Sequence, residues 1–187
     1  MDSPSDQVRR DSNLRACDHE RRSLGRDFGL RIERDGTWTY LGSPIRRLPL
    51  ARLFATVLRR EADGSYWLAT PVERGRIEVE DVPFVAVELK AEGEGQSQRL
   101  HLRTNLDAWV TVDDDHPLRL RTPPWADQQV QDPVPYVDVR AGLEARLLRS
   151  VFYELVELGR EHELAGQARF GVWSAGRFFP LDEPCHG

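Results

Sequence analysis

The sequence predicts an α+β protein of two related halves around mostly antiparallel sheet. Three observations predict it. First, one pattern occurs twice: an aromatic or β-branched strand leads into an amphipathic helix, and an aromatic strand–turn–strand follows. Second, the hydrophobic period between the copies falls from about 3.6 residues to about 2, which suits strands with one wet face. Third, the links between those strands are too short for parallel crossovers. A strand–helix–hairpin unit used twice points to a duplicated, pseudo-symmetric body with a groove between its halves.

The elements follow in chain order. Residues 1–24 are polar and charged, and are expected to be a disordered tail with at most a transient helix over Leu14 to Arg22. An N-terminal α+β half is expected over 25–80 and a C-terminal half with one long helix over 81–187. Gly36-Thr37-Trp38-Thr39-Tyr40-Leu41 reads as the first copy's strand. A helix is expected from Pro49 to Arg60, because Leu50, Leu53, Phe54, Val57 and Leu58 form one stripe. That stripe is expected to place Leu53, Phe54 and Val57 in the core. Pro49 suits a first turn, where its missing N–H costs nothing. Ala62-Asp63-Gly64 ends the helix. Ser65 to Thr70 and the turn Glu73-Arg74-Gly75-Arg76 complete the copy.

Arg76–Glu80, Phe84–Leu89, Arg99–Arg103, Ala108–Val112 and Leu118–Arg121 then alternate as an antiparallel meander. The stretch from Thr122 to Pro135 is a proline-rich connector that central strand would not tolerate. The second copy opens on Pro135-Tyr136-Val137-Asp138-Val139. Its helix is expected from about Gly142 to Gly159, striped by Leu143, Leu147, Leu148, Val151, Phe152, Leu155 and Val156. Ala168 to Trp173 and the turn Ala175-Gly176-Arg177 close it.

Composition narrows the function. No apolar run approaches the roughly 20 residues that span a bilayer. The opening Met1-Asp2-Ser3-Pro4-Ser5-Asp6 lacks an apolar signal region, so a cytoplasmic location is expected. The net charge of −5 argues against a nucleic-acid face. Every basic residue but Lys90 is arginine. Arginine forks suit phosphate or carboxylate, but here they are scattered among acids, as a codon bias would leave them. Cys17 and Cys185 form no CxxC pair, and Cys185-His186 reads as a frayed end rather than a metal site. His19, His101, His116, His162 and His186 show no HExxH or HxH spacing, and no GxSxG, GxGxxG or Walker motif is present. No metal and no cofactor is expected.

Two segments hold the candidate site. Glu73, Arg74 and Arg76 could line a cleft for an anionic or polar ligand. They also fit a hairpin turn at Arg74-Gly75 with Arg76, Glu78 and Glu80 on a solvated strand face. Asn105 and Asp107 lie in the loop before Trp109, and Asp113-Asp114-Asp115-His116-Pro117 follows its strand. Such acids could hold a hard cation, but they lack EF-hand spacing and are preferred turn formers. If the halves pack through both segments, Glu73, Arg74, Arg76, Asn105 and Asp107 meet at one rim beside the Trp109 indole. That mixture suits a polar, partly aromatic metabolite, such as a nucleotide or a modified amino acid, better than a lipid tail. Trp125, in the connector, is the other indole placed to cap a groove or a partner surface.

The stretch Asp35-Gly36-Thr37-Trp38, Gly42-Ser43-Pro44-Ile45, Tyr66-Trp67-Leu68, Thr70-Pro71-Val72-Glu73 and Ile77-Glu78-Val79-Glu80-Asp81-Val82-Pro83-Phe84 resembles a bacterial family of uncharacterised proteins, domain-of-unknown-function family 1285. Arg103-Thr104-Asn105 and His116-Pro117-Leu118 extend the likeness, which covers about residues 28–182. The resemblance implies a duplicated α+β fold whose C-terminal half is superficially like a pleckstrin-homology domain. It also implies a ligand site between the halves and a role in signalling, and it supplies no catalytic residue. The leading expectation is a cytoplasmic binding or signalling module for a small-molecule or peptide ligand. One alternative is an enzyme using Glu73, Asp81, Asp107 and Asp113–Asp115, and another is a structural adaptor.

Overall fold

The computed structural model describes residues 26–126 and 133–182. The expected tail over 1–24, both cysteines, His19 and His186 lie outside the described residues. The described residues are mostly sheet with two α-helices. The first sheet comprises β1 (Arg26–Ile32), β2 (Trp38–Tyr40), β3 (Ser43–Pro44), β4 (Leu58–Arg60), β5 (Tyr66–Ala69) and β6 (Arg74–Val79). Helix α1 (Leu48–Val57) links β3 to β4. The second sheet comprises β7 (Phe84–Glu92), β8 (Arg99–Thr104), β9 (Trp109–Thr111), β10 (Leu118–Arg121), β11 (Val134–Arg140) and β12 (Leu143–Leu147). Helix α2 (Arg149–Glu157) then leads to a three-stranded sheet of β13 (Arg160–Leu164), β14 (Gln167–Ser174) and β15 (Arg177–Pro180). No helix among the described residues is long and apolar enough to cross a membrane.

The six-stranded sheets share one topology. Their orders are β3-β2-β1-β6-β5-β4 and β9-β8-β7-β12-β11-β10, so the second repeats the first, six strands later. Each is two antiparallel meanders joined by one parallel pair, β1 with β6 and β7 with β12. The five runs expected as one meander divide: β6 belongs to the first sheet, β7, β8 and β9 form one meander, and β10 pairs with β11 rather than with β9. The parallel pairs join strands distant in sequence, which link length does not register. The strand–helix–hairpin unit expected over 36–80 and 118–182 is therefore framed differently in the structure. Three strands, a helix and three strands do occur twice, around α1 and around α2. Around α1 all six strands share one sheet; around α2 they divide between the second and third sheets. The part β11 plays in the second unit also brings Pro135 into a strand, paired with Leu120 of β10, while pairing with β12 begins one residue later at Tyr136.

Both helix expectations need correcting. The helix expected from Gly142 is strand β12 over its first turn and a half. Leu143, Ala145 and Leu147 are buried there while Glu144 and Arg146 are half-buried on the opposite face, an alternation of period two. In α1 the buried residues are Ala51 and Ala55. Leu53 is 60% exposed, and Phe54 and Val57 are only half-buried. The small alanines let the helix approach the body closely; Phe54 and Val57 pack partly against the core, and Leu53 faces outward. The core runs through both halves as one cluster, from Ile32, Leu58 and Leu68 to Leu100, Leu147 and Leu155.

Candidate functional site

The seam between the six-stranded sheets is held by specific polar contacts. The turn after β1 brings Gly36 to the seam with φ +85, a conformation that favours glycine. A Cβ there would lie 2.5 Å from Asn105 Nδ2. Asn105 Nδ2 donates to the Gly36 carbonyl at 2.9 Å, and its Oδ1 accepts from Val85 N at 3.1 Å. The amide expected to recognise a ligand is thus committed to joining the halves. Arg52 of α1 reaches across, donating through Nε to the Leu106 carbonyl at 2.9 Å and pairing with the Asp107 carboxylate. Asp107 also accepts from Arg103 Nη1 at 2.7 Å.

The C-terminal end of α1 needs donor partners, since its last carbonyls have none within the helix. Arginines supply them. Arg59 Nη1 donates to the Thr56 and Leu58 carbonyls at 3.1 and 2.7 Å, and Arg140 of β11 donates to the Ala55 carbonyl. Burial, and the like charge of Arg59, hold the Arg140 guanidinium below the usual arginine range. Arg140 has no carboxylate partner among the described residues.

These contacts border a pocket of about 330 Å³ lined by both halves. Arg52, Ala55 and Thr56 come from α1; Phe84, Trp109 and Arg140 come from the second sheet. The Trp109 indole is 43% exposed, with Lys90 Nζ 4.6 Å from its ring centroid. The chemistry on offer is an apolar wall, an indole face and two guanidinium groups.

Further along the seam a buried network locks the halves. The Asp81 carboxylate is fully buried and accepts from the Tyr136 hydroxyl at 3.0 and 3.1 Å. Arg146 Nε lies 3.1 Å from Asp81 Oδ2, an ion-pair distance at which the N–H is not aligned for a hydrogen bond. Arg146 Nη2 instead donates to the Arg34 carbonyl at 2.8 Å. Burial, reinforced by the Asp81 charge, pushes the Tyr136 phenol well above its ordinary range. Arg34 stacks 4.3 Å from the Trp125 ring centroid, so this indole is part of the lock.

The other expected site residues lie elsewhere. Glu73 pairs with Arg26 at 3.6 Å on the rim of an apolar groove of the N-terminal half. Arg74 pairs with Glu61 at 2.7 Å and covers the Trp67 ring. Arg76 lines a concavity of about 870 Å³ on the first sheet, where Arg31 pairs with Glu78 at 3.1 Å. That concavity is a solvated, ion-paired strand face. None of the cavities described here is lined by Arg74 or Arg76 together with Asn105 or Asp107. Trp109 alone of the six expected residues lines the inter-half pocket, with Asp107 behind it through Arg52. Arg52, Arg140 and Phe84 were not singled out by the sequence. The carboxylates of the enzyme reading are dispersed: Asp114 pairs with Arg177, and Asp113 accepts from the backbone N–H groups of Asp115 and His116. Among the described residues no three or more His, Cys, Asp or Glu gather as metal ligands.

Two adjoining family models together match residues 22–181. "Domain of unknown function (DUF1285), N-terminal domain" matches residues 22–82 and "Protein of unknown function (DUF1285), C-terminal domain" matches 83–181. Their border falls between the two six-stranded sheets. A DUF1285 family protein from Silicibacter pomeroyi DSS-3 is similar at 42% identity, with a TM-score of 0.74 over 83% of this chain and 80% of that one. Another from Shewanella baltica OS155 is similar at 29% identity, with a TM-score of 0.54 over 70% of this chain and 91% of that one. No curated protein matches. With the models covering both halves and the nearer of these structures sharing the fold at this identity, the chain belongs to the DUF1285 family.

Proposed function

We propose that this protein is a binding module whose ligand enters the pocket between the two halves. The observation that carries the reading is Arg140, a partly desolvated guanidinium without a carboxylate partner, in the same pocket as the exposed Trp109 face. A ligand with a flat apolar body and an anionic group answers both: the body stacks on the indole and the anion takes the free guanidinium donors. A nucleotide or a modified aromatic amino acid has that chemistry. The pocket's walls come from α1 on one side and β7, β9 and β11 on the other. Bound ligand would therefore favour one arrangement of the halves, and a signal can pass only through such differential affinity.

Calorimetric titration with adenosine 5′-monophosphate and with adenosine tests this directly. The monophosphate should bind with Kd between about 1 μM and about 1 mM, and adenosine at least about tenfold more weakly. Arg140→Gln and Trp109→Ala should each weaken monophosphate binding about tenfold or more, with little change in Tm for Trp109→Ala and a lower Tm for Arg140→Gln, which also loses its bond to the Ala55 carbonyl. Equal affinity for adenosine and its monophosphate, or retained binding in both variants, would remove Arg140 and Trp109 from the site.

A further inference from the structure

The N-terminal half carries a second feature that the inter-half pocket does not use. Nine large apolar side chains are conspicuously exposed among the described residues, and six lie between residues 40 and 72: Tyr40, Leu41, Leu48, Leu50, Leu53 and Val72. Of these, Tyr40, Leu41 and Leu50 line a groove of about 760 Å³ between α1 and β1, together with Phe28, Phe54 and Val57. Monomeric proteins rarely leave so contiguous an apolar patch bare.

We infer that this face pairs with the same face of a second copy of the chain. Three observations select that occupant. Leu53 and Val72 are 60% and 94% exposed and are not among the residues that line the groove, and Leu41, on its wall, is still 73% exposed, so a small ligand filling the groove would leave much of this apolar surface wet. Another protein surface would cover them. Two-fold pairing also demands a self-complementary patch. Here a projecting Leu41, at the tip of the β2–β3 turn, adjoins the groove that could receive its counterpart. The rim is self-complementary in charge as well. Arg26 faces Glu73 at 3.6 Å with their side chains 79% and 53% exposed, and Asp27 lies beside them. Such an exposed pair contributes little within one chain and can be exchanged between copies. A rim of both signs also disfavours an anionic membrane as the occupant. Pro44 lies on the open edge strand β3, where it removes a backbone donor, so the pairing works through side chains rather than by extending the sheet.

Sedimentation velocity of the full chain from about 5 to about 200 μM decides it. The expected result is a dimer whose dissociation constant lies within that range or below it. Leu41→Asp and Val72→Asp should each weaken association about tenfold or more, and should lower Tm only at concentrations where the wild type is dimeric. Aspartate tolerates the left-handed backbone of residue 41, where φ is 47. Leu164→Asp, an equally drastic change at an exposed leucine on β13 of the C-terminal half, should leave association unaltered. A wild-type monomer at every concentration overturns the inference. So does a dimer that Leu164→Asp dissociates as readily as Leu41→Asp, or a monomer whose native mass spectrum shows a copurified amphiphile filling the groove.

Discussion

Helices α1 and α2 carry apolar stripes of the same kind and meet different fates. In α2 the stripe is the buried side: Val151 is 1% and Leu155 0% exposed, packed on β7 and β14. In α1 the stripe is split: Leu53 is exposed, Phe54 and Val57 are half-buried against the core, and the deepest positions are Ala51, Ala55 and the following Leu58. Those three positions are themselves a second stripe at i, i+4 and i+7. The segment Leu48-Pro-Leu-Ala-Arg-Leu-Phe-Ala-Thr-Val57 is thus apolar on more than one side. The side that meets the body is chosen by closeness of approach, and alanine approaches closest. A hydrophobic stripe establishes that a helix is amphipathic; it does not establish which neighbour, its own core or another surface, the stripe is for.

The sharpest way to break this comparison is to truncate the buried stripe. Leu155→Ala should destabilise the protein by about 3–5 kcal/mol in denaturant titration, the usual cost of a fully buried leucine that leaves a cavity. A loss under about 1 kcal/mol would mean that α2 is as loosely covered as α1. On the inner side of α1, Ala51 is 4% exposed, and Ala51→Leu should cost about 1–3 kcal/mol by overpacking. A neutral result would show that α1 has slack against the body. Phe54→Ala should cost about 2 kcal/mol. That is less than the full price of a buried ring, because Phe54 is half-covered and its main partner is Trp38, 6.0 Å away between ring centroids.

How much was legible follows the same physics. Strands β6, β7, β8 and β10 lie where the period-two runs place them, because alternation leaves one geometry that buries the apolar residues. Strand β12 was read as helix because Leu143 and Leu147, four apart, satisfy both periods, and the following Val151 and Leu155 continue the helical one. Only Ala145, with Glu144 and Arg146 beside it, distinguishes them. At the seam, Trp109 was visible as an indole opening a strand beside a polar loop. Arg52 and Arg140 were not, since each acts on a carbonyl 54 or 85 residues away and carries no local signature of doing so. Asn105 and Asp107 read from the sequence as polar groups near the site, and their partners Gly36, Arg52 and Arg103 carry no local signature beside them. The turn expected at Arg74-Gly75 lies instead over Thr70–Glu73, and Arg74 and Arg76 sit within strand β6, ion-paired or solvated.

The smallest expected effect discriminates most finely. Leu53 is on the apolar stripe of α1 and yet 60% exposed. If the chain stands alone, Leu53→Ala removes little buried surface, and alanine's better helix propensity offsets part of that loss, so stability should change by less than about 0.5 kcal/mol. If the outer face of α1 is covered by a second copy, the same substitution should cost more as protein concentration rises, because the lost area then belongs to an interface whose population follows mass action. Measuring the denaturant midpoint of wild type and Leu53→Ala at about 1 μM and about 100 μM separates these cases. A difference between the two proteins that grows with concentration places Leu53 in an interface. A difference that is small and constant leaves it a solvent-exposed leucine on an otherwise ordinary surface. A large difference, constant with concentration, would mean that part of this chain itself covers the helix. The contrast between α1 and α2 would then be one of which segment does the covering rather than of burial.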